Sequence, residues 1–476
     1  MAQSGVGLSP NGDRRASRLR PRAFHAAGQE ARRFVIQRIL RQGSSMVKHL
    51  FIVGLDPFNR AKLERLPQAA DCQFHTALDI ADIRHVAEYD IDALIEQAIT
   101  RIESAGVPVD GVASYYDFPG TVLAAVLAEH FGTPHASLES IIKCEHKYWS
   151  RLEQQKVIPH HIPPFRAFDP FDPDAFQKLD LLPPYWIKPI KSFRSFLAYR
   201  INDERQFNEV MQVCQARAGF LVDPFRRLMD RFDMPDELAH MPETFIAEGL
   251  IGGAQCTLEG YVVDGSVSVY GVVDSVRESD SSSFSRYEYP SRLPLEIQHR
   301  MIDVARAAIR AIGLDNSPFN VEFFYDQTAD NVWLLEINPR ISQAHSDIFE
   351  KVHGHSHHAI LVDLALGRKP APMERHGRFN VAAHFMLRTF ERGRISRIPS
   401  QQALERIQER LPGTVVKIPV QVGQHLDDLQ GQDSYSYELA NVFIGGRDQA
   451  DLLDQYDQVL MALQFEVDKD TETIVH

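Results

Sequence analysis

The chain has 476 residues, of which 44% are hydrophobic and 24% charged, with a formal charge of −13. That length holds two or three domains of ordinary globular composition, and no apolar run approaches the roughly 20 residues that span a bilayer. The charge is uneven: residues 1–45 carry nine Arg, no Lys and only Asp13 and Glu30, a net +7, which leaves −20 on the rest and argues against a nucleic-acid-binding body.

Residues 1–45 lack a long apolar segment and so are not a secretory signal. Arg-rich and acid-poor, they read as an organellar transit segment or as sequence upstream of a start at Met46, where Met46-Val-Lys-His-Leu-Phe-Ile-Val-Gly-Leu runs straight into a strand. The second reading is preferred. Either way the segment cannot bury a core and is expected to be disordered, apart from a short helix over Arg32–Arg41. Cys72, Cys144, Cys214 and Cys256 form no CxxC pair, which predicts a reducing, cytoplasmic setting and no structural zinc.

From Lys48 strands and helices alternate. His49–Gly54 and Val109–Ser114 read as strands, Ile91–Ser104 and Thr121–Phe131 as helices, together a small α/β layer over residues 46–136. Val53-Gly-Leu-Asp-Pro-Phe-Asn has a single glycine and gives no dinucleotide fingerprint. Leu138–Gln155 reads as one helix bearing Lys143, His146, Lys147 and Arg151, and Pro159–Pro184 as a connector. Trp186-Ile-Lys188 is a strand, Ser192–Ser195 a loop, Leu197–Ile201 a return strand and Phe207–Ala218 a helix. Thr244–Val263 reads as two strands joined through glycines, continued by a hairpin at Asp264-Gly265. Ser279–Ser285 is a serine loop, and Leu295–Ile312 a helix closed by Gly313. His358–Leu366 is another helix, Pro370–Arg375 a boundary, and residues 371–476 a small α+β end domain with helices Gln402–Arg410 and Gln449–Leu463.

The chemistry concentrates before that boundary. Val332–Ile337 is a near-continuous apolar run, the signature of a buried strand. Glu336, Asn338 and Arg340 follow at alternate positions, on one face of an extended segment, and Pro339 suits a strand end. Glu322 interrupts the apolar run Phe319–Tyr325, and the polar connection 326–331 reads as a hairpin that brings it beside Glu336 and Asn338. Two carboxylates and an amide oxygen form a hard donor set for Mg²⁺, and Arg340 is a fork for phosphate or carboxylate. The competing reading is a Glu336–Arg340 ion pair that only holds a sheet together. Lys147 and Lys188 precede this set. Between them and it lies Glu248–Gly253, whose backbone suits adenine.

In this order the motifs resemble the ATP-grasp superfamily, in the branch of carboxylate–amine ligases and biotin carboxylase, over about residues 48–370. Glu145-His-Lys147 with Trp-Ser-Arg-Leu and Val157-Ile-Pro is similar to the family's lysine-bearing helix. Ile187-Lys188-Pro resembles its second nucleotide lysine, and Glu248-Gly-Leu-Ile-Gly-Gly253 its adenine hinge. Leu335-Glu336-Ile-Asn338-Pro-Arg340 resembles its metal and catalytic strand. The resemblance implies an α/β and α+β ATP-grasp fold: an N-terminal layer (46–136), a two-lobed ATP-grasp domain (137–370) and the end domain (371–476). It implies phosphate contacts from Lys147, Lys188, Ser192 and Ser195, and adenine contacts from Glu248, Leu250 and Ile251. Mg²⁺ (or Mn²⁺) would sit on Glu322, Glu336 and Asn338. Arg340 would steady the transferred phosphoryl group or acyl phosphate, and Arg277 would contact substrate or phosphate.

The expected cofactors are therefore ATP and Mg²⁺. The expected partners are a small carboxylate and an amine, with no nucleic acid and no membrane, and a homodimer is admitted. The loop Lys191-Ser-Phe-Arg-Ser-Phe has no glycine where the family has a glycine- and serine-rich lid, and Lys191 or Arg194 would add charge there. Gln255 stands where an acid is usual after the hinge. His353-Gly-His-Ser-His-His reads as a loop near the site rather than a metal cluster. The expected activity is ligation of a carboxylate to an amine through an acyl phosphate. The alternatives are a biotin-carboxylase-like enzyme using bicarbonate and a non-catalytic nucleotide-binding protein.

Overall fold

Four sheets carry the described residues of the computed structural model, which are 47–84, 89–192, 196–217, 219–231, 244–278, 283–429 and 436–470, with 234, 235, 238 and 241. The Arg-rich extension, with the helix expected over Arg32–Arg41, and Arg194, Ser195 and positions 279–282 of the serine run lie outside these residues. Val47–His476 form one compact unit.

The first sheet is parallel, with β1 (Lys48–Leu55) between β2 (Cys72–Asp79) and β3 (Gly111–Ala113). Helices Ile91–Ser104 and Gly120–Phe131 cover it. From Leu50 to Leu55 β1 carries no polar side chain, because both its faces are buried there. Phe51 and Val53 pack on one side against those helices. Leu50 and Ile52 pack on the other against Ile341 and the helix His358–Ala365. That second face joins the layer to the segment just after Arg340.

The second sheet is antiparallel, in the order β4 (Phe165–Phe168), β7 (Phe245–Gly249), β5 (Tyr185–Pro189), β6 (Tyr199–Ile201). The connector expected over Pro159–Pro184 thus contains a strand, β4, whose short apolar run is flanked by prolines. On β5, Tyr185 and Ile187 are fully buried, while Trp186 and Lys188 face the other way. Glu248 lies directly opposite Trp186 and so shares the face of Lys188.

The third sheet has eight strands. Its order is β12 (Asn331–Asn338), β11 (Ser317–Asp326), β8 (Ala254–Val263), β9 (Ser266–Arg277), β10 (Phe284–Tyr289), β13 (Val381–Thr389), β16 (Tyr437–Gly446) and β15 (Val415–Lys417). Strands from the expected end domain therefore continue the central sheet through the β10–β13 pairing. A two-stranded sheet of β14 (Gly393–Arg397) and β17 (Glu466–Lys469) flanks them. Helix Leu295–Ile312 buries Ile297, Met301, Ala305 and Ile309, one face at helical spacing.

The expected single helix Leu138–Gln155 is two, Leu138–Glu145 and Lys147–Val157, broken at His146. The His146 backbone is extended (φ −85°, ψ 98°), and its Nδ1 accepts from Trp149 N at 3.1 Å as an N-cap. The break frees the Lys147 amide to donate to Ile190 O at 2.8 Å. It thereby fixes the first lysine beside the strand that carries the second.

Candidate active site

The hairpin β11–β12 pairs Glu322 with Glu336 and Asn320 with Asn338, so both carboxylates and both amides share one face of the sheet. Burial and the facing Glu336 push the Glu322 carboxyl up to about 7, against the pull of Arg340, Lys147 and Arg277. For Glu336 burial acts the same way, but Lys147 and Lys188 outweigh it and hold the group below its ordinary value. Asn338 Nδ2 donates to Asn320 Oδ1 at 3.0 Å, which leaves the Asn338 oxygen as the free donor atom of the pair of amides. Two facing carboxylates that repel one another, with an amide oxygen adjoining, suit a hard divalent cation. Among the described residues no cluster of three or more His, Cys, Asp or Glu could hold a metal, and this set has two carboxylates and an amide.

Facing it, Lys147 Nζ bonds Glu336 Oε1. Lys188 Nζ lies 2.5 Å from Glu248 Oε2, and Arg151 Nε donates to Glu248 Oε1 at 2.6 Å. The remaining Arg151 nitrogens donate to Gln154 Oε1 (2.6 Å), Leu334 O (3.1 Å) and Leu335 O (2.8 Å), tying the helix to β12. Lys147, Arg151, Gln154, Lys188, Glu248 and Glu336 line a narrow cleft of about 10 Å³, room for about one water. Burial alone would raise the Glu248 carboxyl, but Arg151 and Lys188 bring it down to about 2.

The structure thus brings Lys147, Lys188, Glu248, Glu322, Glu336 and Asn338 together. Leu250 and Ile251 lie in the irregular segment between β7 and β8, where backbone groups are not committed to a ladder, and Leu250 is 40% exposed. Ser192 is buried in the segment after β5, and Ser195 falls outside the described residues. Gln255 bridges charges: its Nε2 donates to Glu322 Oε2 at 3.1 Å and its Oε1 accepts from Arg277 Nη2 at 2.6 Å. A neutral amide in place of an acid therefore spares Glu322 a second carboxylate neighbour. It also connects Arg277, stacked on the Phe284 ring, to the metal-type set.

Arg340 extends toward the N-terminal layer, where its Nη2 lies 2.5 Å from Asp117 Oδ2. Lys191 is buried against Glu145 and lies 3.5 Å from Asp117 Oδ1, so it is engaged by carboxylates instead of adding a free charge to the loop. Sequence reasoning missed Asp117 as a site residue. The signal was its place: Tyr115-Tyr-Asp117 follows β3, and in parallel α/β layers ligands gather beyond the carboxyl ends of strands. Arg151 and Glu145 were visible in the motif but carried no role. The histidines diverge: His353 bonds Tyr289 OH (2.8 Å), His357 bonds Tyr270 OH (3.2 Å) and His358 bonds Ser356 Oγ (2.7 Å), each serving the fold.

Residues 182–347 match the family described as "ATP-grasp domain". The chain has an ATP-grasp fold. Solved structures agree along nearly its whole length. L-amino acid ligase from Bacillus licheniformis superposes with a TM-score of 0.67 at 16% identity, covering 90% of this chain and 100% of the other. Carboxyaminoimidazole ribonucleotide synthase from Aspergillus clavatus, complexed with ATP, gives 0.61 at 14%, covering 88% and 99%. Biotin carboxylase from Campylobacter jejuni, in a β,γ-ATP complex, gives 0.57 at 14%, covering 89% and 93%. No curated protein matches at a significant level. No helix among the described residues is long and apolar enough to cross a membrane.

Proposed function

We propose that this chain is an ATP- and Mg²⁺-dependent ligase that activates a small carboxylate as an acyl phosphate and joins it to an amine. The observation that carries the reading is the Glu322–Glu336 pair on adjacent strands, followed by Asn338 and Arg340 and faced by Lys147 and Lys188. A carboxylate is too weak an electrophile for an amine at neutral pH. Its oxygen attacks the γ-phosphorus of ATP, the bond to the β–γ bridging oxygen breaks, and ADP leaves with the electron pair. The amine then forms the C–N bond, phosphate departs with the C–O electrons, and the surplus amine proton ends on phosphate or solvent.

Such a transfer needs positioning and charge neutralisation more than a protein nucleophile. Lys147 and Lys188 would exchange Glu336 and Glu248 for phosphate oxygens, and residues 250–253 would offer backbone groups to the base. Glu322, Glu336 and Asn338 would hold Mg²⁺, which neutralises phosphate charge. Arg340 would steady the transferred phosphoryl and acyl phosphate oxygens. The four cysteines, all free and buried, suit a reducing cytoplasmic setting.

The test is ADP release and hydroxamate formation with ATP, Mg²⁺, hydroxylamine and a panel of carboxylates. Hydroxamate with ADP supports the ligase. ADP that requires bicarbonate and biotin, with no hydroxamate, would replace it with a carboxylase, and neither product would leave a nucleotide-binding scaffold.

A further inference from the structure

We propose that the Arg340–Asp117 pair is the seat of an α-amino acid, whose carboxylate replaces Asp117 on Arg340 and whose ammonium replaces Arg340 on Asp117. This rests on the ligase reading and names the class of carboxylate that is activated.

The pair joins two parts of the chain that are 223 positions apart: the turn after β3 and the turn after β12. Its side chains keep 17% and 20% of their surface exposed, whereas the adjoining Lys191–Glu145 pair is sealed at 3% on both sides. A solute can therefore reach the first pair and not the second. The two oxygens of Asp117 have different duties. Oδ1 accepts from the Phe118 amide at 2.7 Å and faces Lys191 at 3.5 Å, so it is committed to its own turn. Among the described residues Oδ2 is held by Arg340 alone. On the arginine, Nη2 is engaged by that oxygen, and Nη1 makes only a long 3.5 Å contact with Ile341 O. One carboxylate oxygen and one guanidinium fork are thus open to exchange, in facing positions.

Charge balance selects the ligand. Arg340, Lys191, Asp117 and Glu145 form a neutral set, and Glu145 takes a further bond from Thr121 Oγ1 at 2.8 Å. A zwitterion inserted between Arg340 and Asp117 gives each of them a new partner of the correct sign and leaves the set neutral. A simple carboxylate would bind Arg340 and turn Asp117 out, adding a negative charge to a partly desolvated cluster whose other cation, Lys191, is already bonded to Glu145. Asp117 is anionic at neutral pH: burial works against its charge, but Arg340 and Lys191 outweigh it. Arg340 is also the residue that the ligase reading places on the acyl phosphate, so the carboxylate seated there is the one in line for phosphorylation.

The experiment uses the full chain with ATP, Mg²⁺ and hydroxylamine. Common L-amino acids are compared with their N-acetyl derivatives, and alanine and phenylalanine with propionate and phenylpropionate. The readouts are ADP, hydroxamate, kcat and KM. The proposal expects amino acids to exceed their blocked or deaminated counterparts by at least about thirtyfold in kcat/KM, the lower end of what removing one partner from a desolvated charge pair costs. Asp117→Asn should erase that preference by raising the amino acid KM, while the ATP KM stays within about twofold, and Asp117→Glu should restore part of it. A purely structural role would instead lower kcat for every acid alike. If Asp117→Asn does not fold, the wild-type comparison decides. Hydroxamate from deaminated acids as good as that from amino acids would overturn the zwitterion site and leave the ligase standing. Absence of hydroxamate from every acid would overturn both.

Discussion

Glu248→Gln isolates one charge in the buried cleft and should reveal itself through pH. Glu248 is 4% exposed and is held by Arg151 at 2.6 Å and Lys188 at 2.5 Å. Its carboxyl sits at about 2 instead of the ordinary 4.5, because the two cations outweigh the burial that would raise it. At about 1.36 kcal/mol for each tenfold change in proton affinity, the folded chain gains about 3 kcal/mol from this group at neutral pH. The sign follows from the depressed value. The folded state holds the proton less tightly than the unfolded chain, so the stabilisation is complete above about 4.5 and is lost as pH falls through about 2. A glutamine has the shape of a protonated glutamate, so the variant should lack the whole contribution at neutral pH and match the wild type in strong acid. Urea unfolding of both proteins, from neutral pH down to about 2, gives the comparison, and every other carboxylate cancels in the difference. A difference that stays constant across that range, or a variant as stable as the wild type at neutral pH, would refute the charge assignment at this pocket.

Lys188→Ala should weaken ATP binding about tenfold or more in calorimetry, since a charge-assisted contact to phosphate is removed; unchanged affinity would take Lys188 out of the nucleotide site. Arg340→Lys keeps the charge and loses the planar fork, so kcat for ligation should fall about 100-fold with ATP affinity within about threefold, and a kcat near wild type would assign Arg340 to the fold alone. Gly253 has φ +117°, and a Cβ there would run into the Tyr325 carbonyl. Gly253→Ala should therefore cost well over about 1 kcal/mol in stability. Gly265→Ala, with φ +69° and open space around it, should cost only about 1 kcal/mol from the left-handed backbone. Equal melting temperatures for the two variants would show that the start of β8 yields.

What the sequence determined by itself was local and periodic. The apolar run of Val332–Ile337 with polar residues at alternate positions fixed a strand whose end presents Glu336, Asn338 and Arg340. The run around Glu322 fixed its partner, and the structure pairs Asn320, Val321 and Glu322 with Asn338, Ile337 and Glu336, the register shifting by one residue at Leu335. Helix Leu295–Ile312 and the hairpin at Asp264-Gly265 were legible because a 3.6-residue spacing and a turn dipeptide are written in neighbouring residues. Tertiary structure decided the rest. The break at His146 depends on a side-chain cap and on the hydrogen bond that the Lys147 amide donates to Ile190 O, far along the chain. Strand β4 is too short to show a period and exists because β7 pairs with it. The end-domain strands join the central sheet through β10 and β13, a pairing that no local pattern records. Above all, the ionic partners were set by folding. Lys191 pairs with Glu145, Glu248 with Arg151, and Arg340 with Asp117, because burying a charge requires an opposite charge nearby. Which opposite charge is nearby depends on how distant segments meet.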